Sequence, residues 1–175
     1  MVYEQENIGK FKFRRVFTEN VDSEELVWHR DREDRKVFVE SSNGWMLQMD
    51  EELPQVLQEG QSYIIPKLTY HRVIKGTGDL KIVIDEGFNK IKVPKAVQNE
   101  VKKGLFYMKK RTSHPLLETY VTLKDVEDLK KYFHTNKTKV LKEEHKGKPH
   151  NDPDYIDWLL HGGNKGEEWI LKITK

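Results

Sequence analysis

The sequence contains no cysteine and no long apolar run. Without thiols, disulfide bonds, thiolate metal sites and a cysteine nucleophile are all excluded. No apolar segment approaches the ~18 residues that a transmembrane helix needs, and residues 1–15 lack the apolar core of a signal peptide. We therefore expect a soluble, cytoplasmic protein that has no membrane partner.

Several short catalytic motifs are also missing. The sequence has neither a G-x-S-x-G elbow nor an H-E-x-x-H pair, so serine hydrolases and zincin proteases are not supported. The glycine-rich segment 161–166 (HGGNKG) lacks the arrangement of a phosphate-binding loop, which favours the end of a helix instead. The net charge of +2 is nearly balanced and does not by itself indicate a polyanionic partner.

Residues 10–92 show the pattern of short strands separated by turns. The segment 10–17 (KFKFRRVF) alternates apolar and basic residues with period two, as expected for a half-buried strand. Further strands are predicted at 25–31, 35–40, 45–50, 61–67, 70–75 and 80–86. With glycine-containing turns between them, these strands predict an antiparallel sandwich or small barrel. We expect 10–17 at a sheet edge, where a second copy could pair to form a homodimer.

The pattern changes near residue 92, so we divide the chain into a β-domain at 1–92 and a linker and helical region at 93–175. Residues 87–104 are polar and contain a proline, which predicts a connector with room for one helical turn. The expected fold class is therefore mainly β, with an α-helical C-terminal extension.

Two helices are predicted in this extension from their N-terminal signals. Thr122 followed by Asp125 resembles a weak capping box before a mostly apolar helical stripe. Asp152 is a suitable N-cap, and Pro153 then occupies the first helical position, where its missing N–H costs nothing.

Two histidines and one aspartate in the strand region have the spacing of a metal site. Residues two apart on a strand face the same side about 6.6 Å apart, so His29 and Asp31 would project together. A second strand carrying His71 could complete the set, and two imidazoles with one carboxylate suit Fe(II). A salt-bridged strand end with a hydrogen-bonded core histidine remains the alternative interpretation.

The segment around His71 resembles the second motif of the cupins. That motif runs Gly, five residues, Pro, a turn and His, often with Asn four positions later. Gly60, Pro66 and His71 occupy the corresponding places here. The sequence departs from the motif at Leu68, where a turn glycine is customary, and at Lys75, which stands in place of the Asn.

The first cupin motif is matched more loosely. It usually runs His-x-His, a few residues, Glu and then Gly, and His29-x-Asp31, Arg35 and Gly44 take these places. Asp31 replaces the second histidine, which resembles the His-x-Asp…His triad of cupin-fold 2-oxoglutarate oxygenases. Arg35 replaces the usual glutamate, unless a bulge turns Asp34 inward instead.

The resemblance covers about residues 24–86 and implies a cupin-type double-stranded β-helix, or jelly roll. It further implies a divalent metal, Fe(II), held by the His-Asp-His set, with oxygenase or isomerase chemistry on a small-molecule substrate. Arg35 and Lys75 would then be catalytic residues that orient an acidic group of that substrate beside the metal.

The alternative function is a metal-free cupin that acts as a non-catalytic binding module for a protein or nucleic acid. Segment 102–111 (KKGLFYMKKR) mixes basic and aromatic residues, as nucleic-acid-binding segments do. A short amphipathic segment that packs Leu105, Phe106 and Met108 explains it equally well, so nucleic acid is not the expected partner.

Overall fold

The computed structural model describes residues 2–109, 113–136 and 138–174. The chain forms two compact units, Met1–Asn89 and Lys90–Lys175. The first is built from strands and the second mainly from helices, which confirms the predicted fold class. The predicted boundary at residue 92 lies at the end of a short strand of the second unit. No helix among the described residues is long and apolar enough to cross a membrane.

Residues 2–89 of the first unit form two antiparallel sheets. Its strands are β1 (Glu4–Gly9), β2 (Lys12–Phe17), β3 (Arg35–Ser41), β4 (Met46–Met49), β5 (Gln55–Val56), β6 (Ser62–Ile65), β7 (His71–Ile74) and β8 (Leu80–Asp85). One sheet has the order β1-β2-β8-β3-β6 and the other has the order β5-β4-β7. An isolated antiparallel bridge joins His29 to His71, beside β7.

The chain alternates between the two sheets. From β2 it passes to the His29 bridge in the second sheet, returns to β3, and crosses again to β4 and β5. It then returns to β6, crosses to β7 and ends on β8 in the first sheet. This path is that of a jelly roll, so the predicted cupin-type double-stranded β-helix is confirmed.

The two sheets share one apolar core. Strand β8 shows the reason, because Leu80, Ile82 and Ile84 are buried while the intervening Lys81 is exposed. Trp45 is fully buried, and its indole Nε1 donates to the Gly78 carbonyl at 3.1 Å. Alternation of apolar and polar residues therefore sets the inner face of the sheets.

The edge of the five-stranded sheet is not where the sequence pattern placed it. Segment 10–17 is covered by β1, whose Glu4 pairs with Val16 in antiparallel register. All residues of β1 are polar or exposed, so no apolar alternation marks it as a strand. Segment 25–31 also differs from the prediction, because a 3₁₀ turn ends at Glu25 and the segment then pairs only through the isolated bridge at His29. Dimerisation stays a prediction.

Within the described part of the second unit there are four α-helices and one antiparallel pair of short strands. The helices are α1 (Lys95–Tyr107), α2 (Leu123–Thr135), α3 (Pro153–Leu160) and α4 (Gly163–Ile173), and the strands are β9 (Lys90–Lys92) and β10 (Tyr120–Thr122). The predicted capping box is present, since Thr122 Oγ1 accepts from the Asp125 amide and the Asp125 carboxylate accepts from the Thr122 amide. Asp152 caps α3 as predicted, with Pro153 at its first position.

Helix α1 corrects the prediction of a polar connector at 87–104. Val97, Val101 and Leu105 recur every four residues and are buried, which gives the segment one apolar face. Pro94 precedes the helix and does not interrupt it. Of the basic segment 102–111, Phe106 is exposed, and residues 110–111 lie outside the described residues.

Candidate metal centre

Backbone pairing brings the three predicted ligands together. The amide of His29 donates to the His71 carbonyl at 3.0 Å, and the amide of His71 donates to the His29 carbonyl at 2.8 Å. The carbonyl of Asp31, two residues further on, accepts from the amide of Leu68 at 2.8 Å. Leu68 adopts a left-handed conformation with φ of 61°, at the position where the cupin motif has glycine. One potential ligand atom from each of His29, Asp31 and His71 lies within 4.8 Å of the others.

Both imidazoles are held in the same tautomer by backbone carbonyls. His29 Nδ1 lies 3.1 Å from the Val27 carbonyl oxygen, and His71 Nδ1 lies 2.9 Å from the Thr69 carbonyl oxygen. A carbonyl oxygen only accepts, so each Nδ1 carries the proton. When either ring is neutral, its lone pair is therefore on Nε2, which is then the free ligand atom.

This donor set fits a divalent metal. His71 Nε2 lies 3.3 Å from Asp31 Oδ2, and both side chains are largely buried. A lone pair and a carboxylate oxygen repel at this distance unless a cation or a proton lies between them. Metal-binding histidines in proteins commonly have their other ring nitrogen fixed by a carbonyl or a carboxylate, as these two have.

Arg35 faces the site, which answers the question left by the sequence. Its Nη1 donates to Asp31 Oδ2, and its Nε donates to Glu86 Oε1 at 2.9 Å. Asp34 instead accepts from the Lys67 amide and from Asn89 Nδ2, both at 2.8 Å, and so holds the adjacent turns. Arg35 thus bridges two carboxylates at the place of the cupin glutamate.

The Asp31 carboxyl is held in its ionised form. Burial alone would raise its pKa, but the hydrogen bond that a protonated His71 donates and the charge of Arg35 outweigh that effect and lower the pKa below its ordinary value. An ionised carboxylate is the form that binds a metal.

Lys75 is not brought to the site. Its Nζ donates to the Val21 carbonyl at 2.8 Å, and Lys75 does not line the cavity beside the three ligands. Strand β7 ends at Ile74, so the alternation that turns His71 and Val73 inward does not continue to Lys75.

A cavity of about 370 Å³ opens next to the ligands within the first unit. Its walls are mostly aliphatic, and among the polar lining residues are His29, Asp31, His71, Arg35 and Arg15. Arg15 was not predicted from the sequence. The signal was present, however, because Arg15 alternates with the buried Phe13 and Phe17 and therefore shares their inward face.

Comparisons with known proteins find structural similarity only. No protein-family model matches the sequence, and no curated protein matches it. A cupin domain from Bordetella pertussis Tohama I is 19% identical with a TM-score of 0.38, over 48% of this chain and 90% of that chain. A cupin-2 domain protein from Shewanella frigidimarina is 21% identical with a TM-score of 0.37, over 46% and 76%.

An RmlC-like cupin with a double-stranded β-helix from Methanocaldococcus jannaschii is similar over 48% of this chain and 86% of that chain. It is 14% identical, with a TM-score of 0.35. These structural neighbours are cupin proteins, and the similarity extends over less than half of this chain. The assignment of the jelly roll rests on the strand order and on the alternation between sheets described above.

Proposed function

We propose that the unit Met1–Asn89 is a small cupin-type metalloenzyme, with Fe(II) as its metal and a small acidic molecule as its substrate. The observation that carries the proposal is the shared tautomer of His29 and His71. With Nδ1 of each ring engaged by a carbonyl oxygen, the neutral rings would offer both Nε2 lone pairs to a metal beside the Asp31 carboxylate. Two imidazoles and one carboxylate on one side of a metal are the ligand set of non-haem Fe(II) oxygenases.

Different residues of the cavity would bind the metal, position its carboxylate ligand and exclude water. His29, Asp31 and His71 would hold the metal, which when bound would supply O₂ activation or polarisation of a substrate oxygen. Arg35 donates to Asp31 Oδ2 and would position that carboxylate. Glu86 would neutralise the positive charge of Arg35. The aliphatic wall of the cavity would exclude water from the reacting groups.

Metal analysis tests the first part of the proposal. Protein purified without chelators and reconstituted anaerobically with Fe(II) is expected to retain close to one ion per chain. His71→Ala should retain almost none, because it removes one of the three ligands. His150→Ala is the matched control, since His150 is an exposed histidine of the second unit. Equal and substoichiometric iron in the wild type and in His71→Ala would remove the metalloenzyme proposal.

Oxygen consumption tests the proposed oxygenase activity. The Fe(II)-loaded protein is incubated with a panel of small carboxylic acids in an oxygen electrode, and Asp31→Asn serves as the inactive comparison. Consumption that requires both Fe(II) and Asp31 is the expected result. Stoichiometric metal without any oxygen uptake across the panel would contradict the oxygenase assignment and favour an isomerase or lyase.

A further inference from the structure

We infer that Arg15 is the anion-binding residue of the cavity, and that the ligand is a small carboxylate with an otherwise apolar body. The inference deepens the proposed function, because it assigns the substrate class and the residue that recognises it in the same cavity. It also replaces the two residues that the sequence suggested for this role. Arg35 is already engaged by two carboxylates, and Lys75 does not line the cavity.

Arg15 is held in place by groups that form no ion pair with it. Its Nε donates to Gln5 Oε1 at 2.9 Å, and its guanidinium carbon lies 4.1 Å from the centre of the Tyr3 ring and 5.0 Å from that of Phe13. Aromatic faces attract a cation but supply no acceptor for its N–H groups. Among the described residues, no ion pair involves Arg15. Its terminal donors are therefore available to a ligand.

The charged groups around Arg15 also favour an anionic ligand. The Arg35 guanidinium lies 5.8 Å from the same Phe13 ring, so two cations approach one aromatic side chain. Asp31, which lines the cavity, and Glu86, which does not, are both bonded to Arg35. Glu25, the other carboxylate of the lining, is exposed to solvent. Burial, followed by the nearby charge of Arg35, lowers the pKa of the Arg15 guanidinium from its ordinary value. Since Asp31 and Glu86 both pair with Arg35, a ligand carboxylate would be the first direct ionic partner of Arg15.

The rest of the cavity defines the body of the ligand. The wall is largely aliphatic, with side chains contributed by both sheets: Val37, Leu47, Leu57, Ile65, Ile82 and Ile84. At about 370 Å³ the cavity is near the lower limit for small-molecule sites, which are roughly 300–1,000 Å³. A compact apolar group that carries one carboxylate satisfies both the wall and the arginine.

Benzoate and its neutral isostere benzamide provide a matched pair of probes for titration calorimetry on the metal-free protein. The wild type is expected to bind benzoate at least about tenfold more tightly than benzamide, because hydrogen bonds to charged groups contribute that much. Arg15→Gln should abolish the preference, and Arg15→Lys should restore part of it. Arg14→Gln is the control, since Arg14 precedes Arg15 on β2 and pairs outward with Glu6 and Glu40.

The inference is overturned if the wild type shows no preference for benzoate, or if Arg15→Gln keeps it. Iron retention by the same Arg15→Gln protein separates this result from a failure of the proposed function. Loss of the benzoate preference with unchanged iron content supports the inference. An unchanged preference with unchanged iron content removes the role of Arg15 and leaves the metal site intact. Far-ultraviolet circular dichroism of each variant confirms that the jelly roll is still formed.

Discussion

Replacing Arg35 with methionine tests whether a guanidinium balances the buried carboxylates of the site. The side chains of Arg35, Asp31 and Glu86 are only 12%, 10% and 20% exposed, so the substitution would leave two nearly buried negative charges without their shared partner. Removing one partner from a buried ion pair typically costs about 3–5 kcal/mol. Because Glu86 keeps some contact with solvent, we expect a loss near the lower limit, about 3 kcal/mol.

The same variant should gain more from metal than the wild type does. Arg35 and a metal would use the same carboxylate of Asp31, so removal of the guanidinium leaves that carboxylate to the metal. A metal at about 100 times its dissociation constant would return roughly 2.7 kcal/mol of stability. Metal should therefore offset most of the cost of Arg35→Met.

Urea titration followed by hydrogen exchange of β3 and β8 measures stability in the first unit alone. Arg14→Met serves as the control, because it removes a partly exposed arginine from outward-facing pairs and should cost little. An Arg35→Met protein that is as stable as Arg14→Met, or that gains nothing from Fe(II), would refute this account of the site.

Two further predictions concern structural residues in each unit. Asp152 is buried, which would raise its pKa, but the hydrogen bonds that it accepts from two backbone N–H groups outweigh burial and lower the pKa. Asp152→Ala removes this helix cap and should cost about 1–2 kcal/mol of stability at pH 7. Because the folded pKa is depressed, this contribution is complete above the unfolded pKa of about 3.9 and is lost as the pH falls through the folded value. Urea titrations of wild type and variant at several pH values should therefore converge in acid, and a constant difference would show that charge is irrelevant. Gly76→Ala would drive Cβ into the Asn43 carbonyl oxygen, whereas Gly78→Ala meets nothing within 4 Å and only strains a φ of 67°. Thermal unfolding should show a much larger loss for Gly76→Ala than for Gly78→Ala, which should cost about 1 kcal/mol, and equal losses would contradict the close approach of Gly76 to the Asn43 turn.

Local patterns predicted most of the jelly roll. Residues 35–40 and 80–86 were predicted as short strands, and the structure places them next to each other as β3 and β8. Strand β1 could not be predicted in this way, because an edge strand that buries no face needs no apolar alternation. Helix α1 was missed because its many charged residues and Pro94 concealed a narrow apolar stripe.

The site was predictable only as far as spacing determines side-chain direction. His29 and Asp31 share a side because they are two apart in an extended segment, and the motif spacing identified His71 as their partner. The same alternation predicted that Lys75 faces the cavity. The strand ends one residue earlier, and Lys75 does not line the cavity. The carbonyl contacts that fix both tautomers depend on the folded backbone and leave no pattern in the sequence.

Nitrogen-15 correlation spectra of the histidine side chains test the metal centre most directly, with Zn(II) as a diamagnetic probe. In the metal-free protein, His29 and His71 should both show a protonated Nδ1 and an unprotonated Nε2. One equivalent of Zn(II) should then shift Nε2 of these two residues and leave the other histidines unchanged. Unshifted Nε2 signals of His29 and His71, or shifts spread over the exposed histidines, would contradict a metal held by His29, Asp31 and His71.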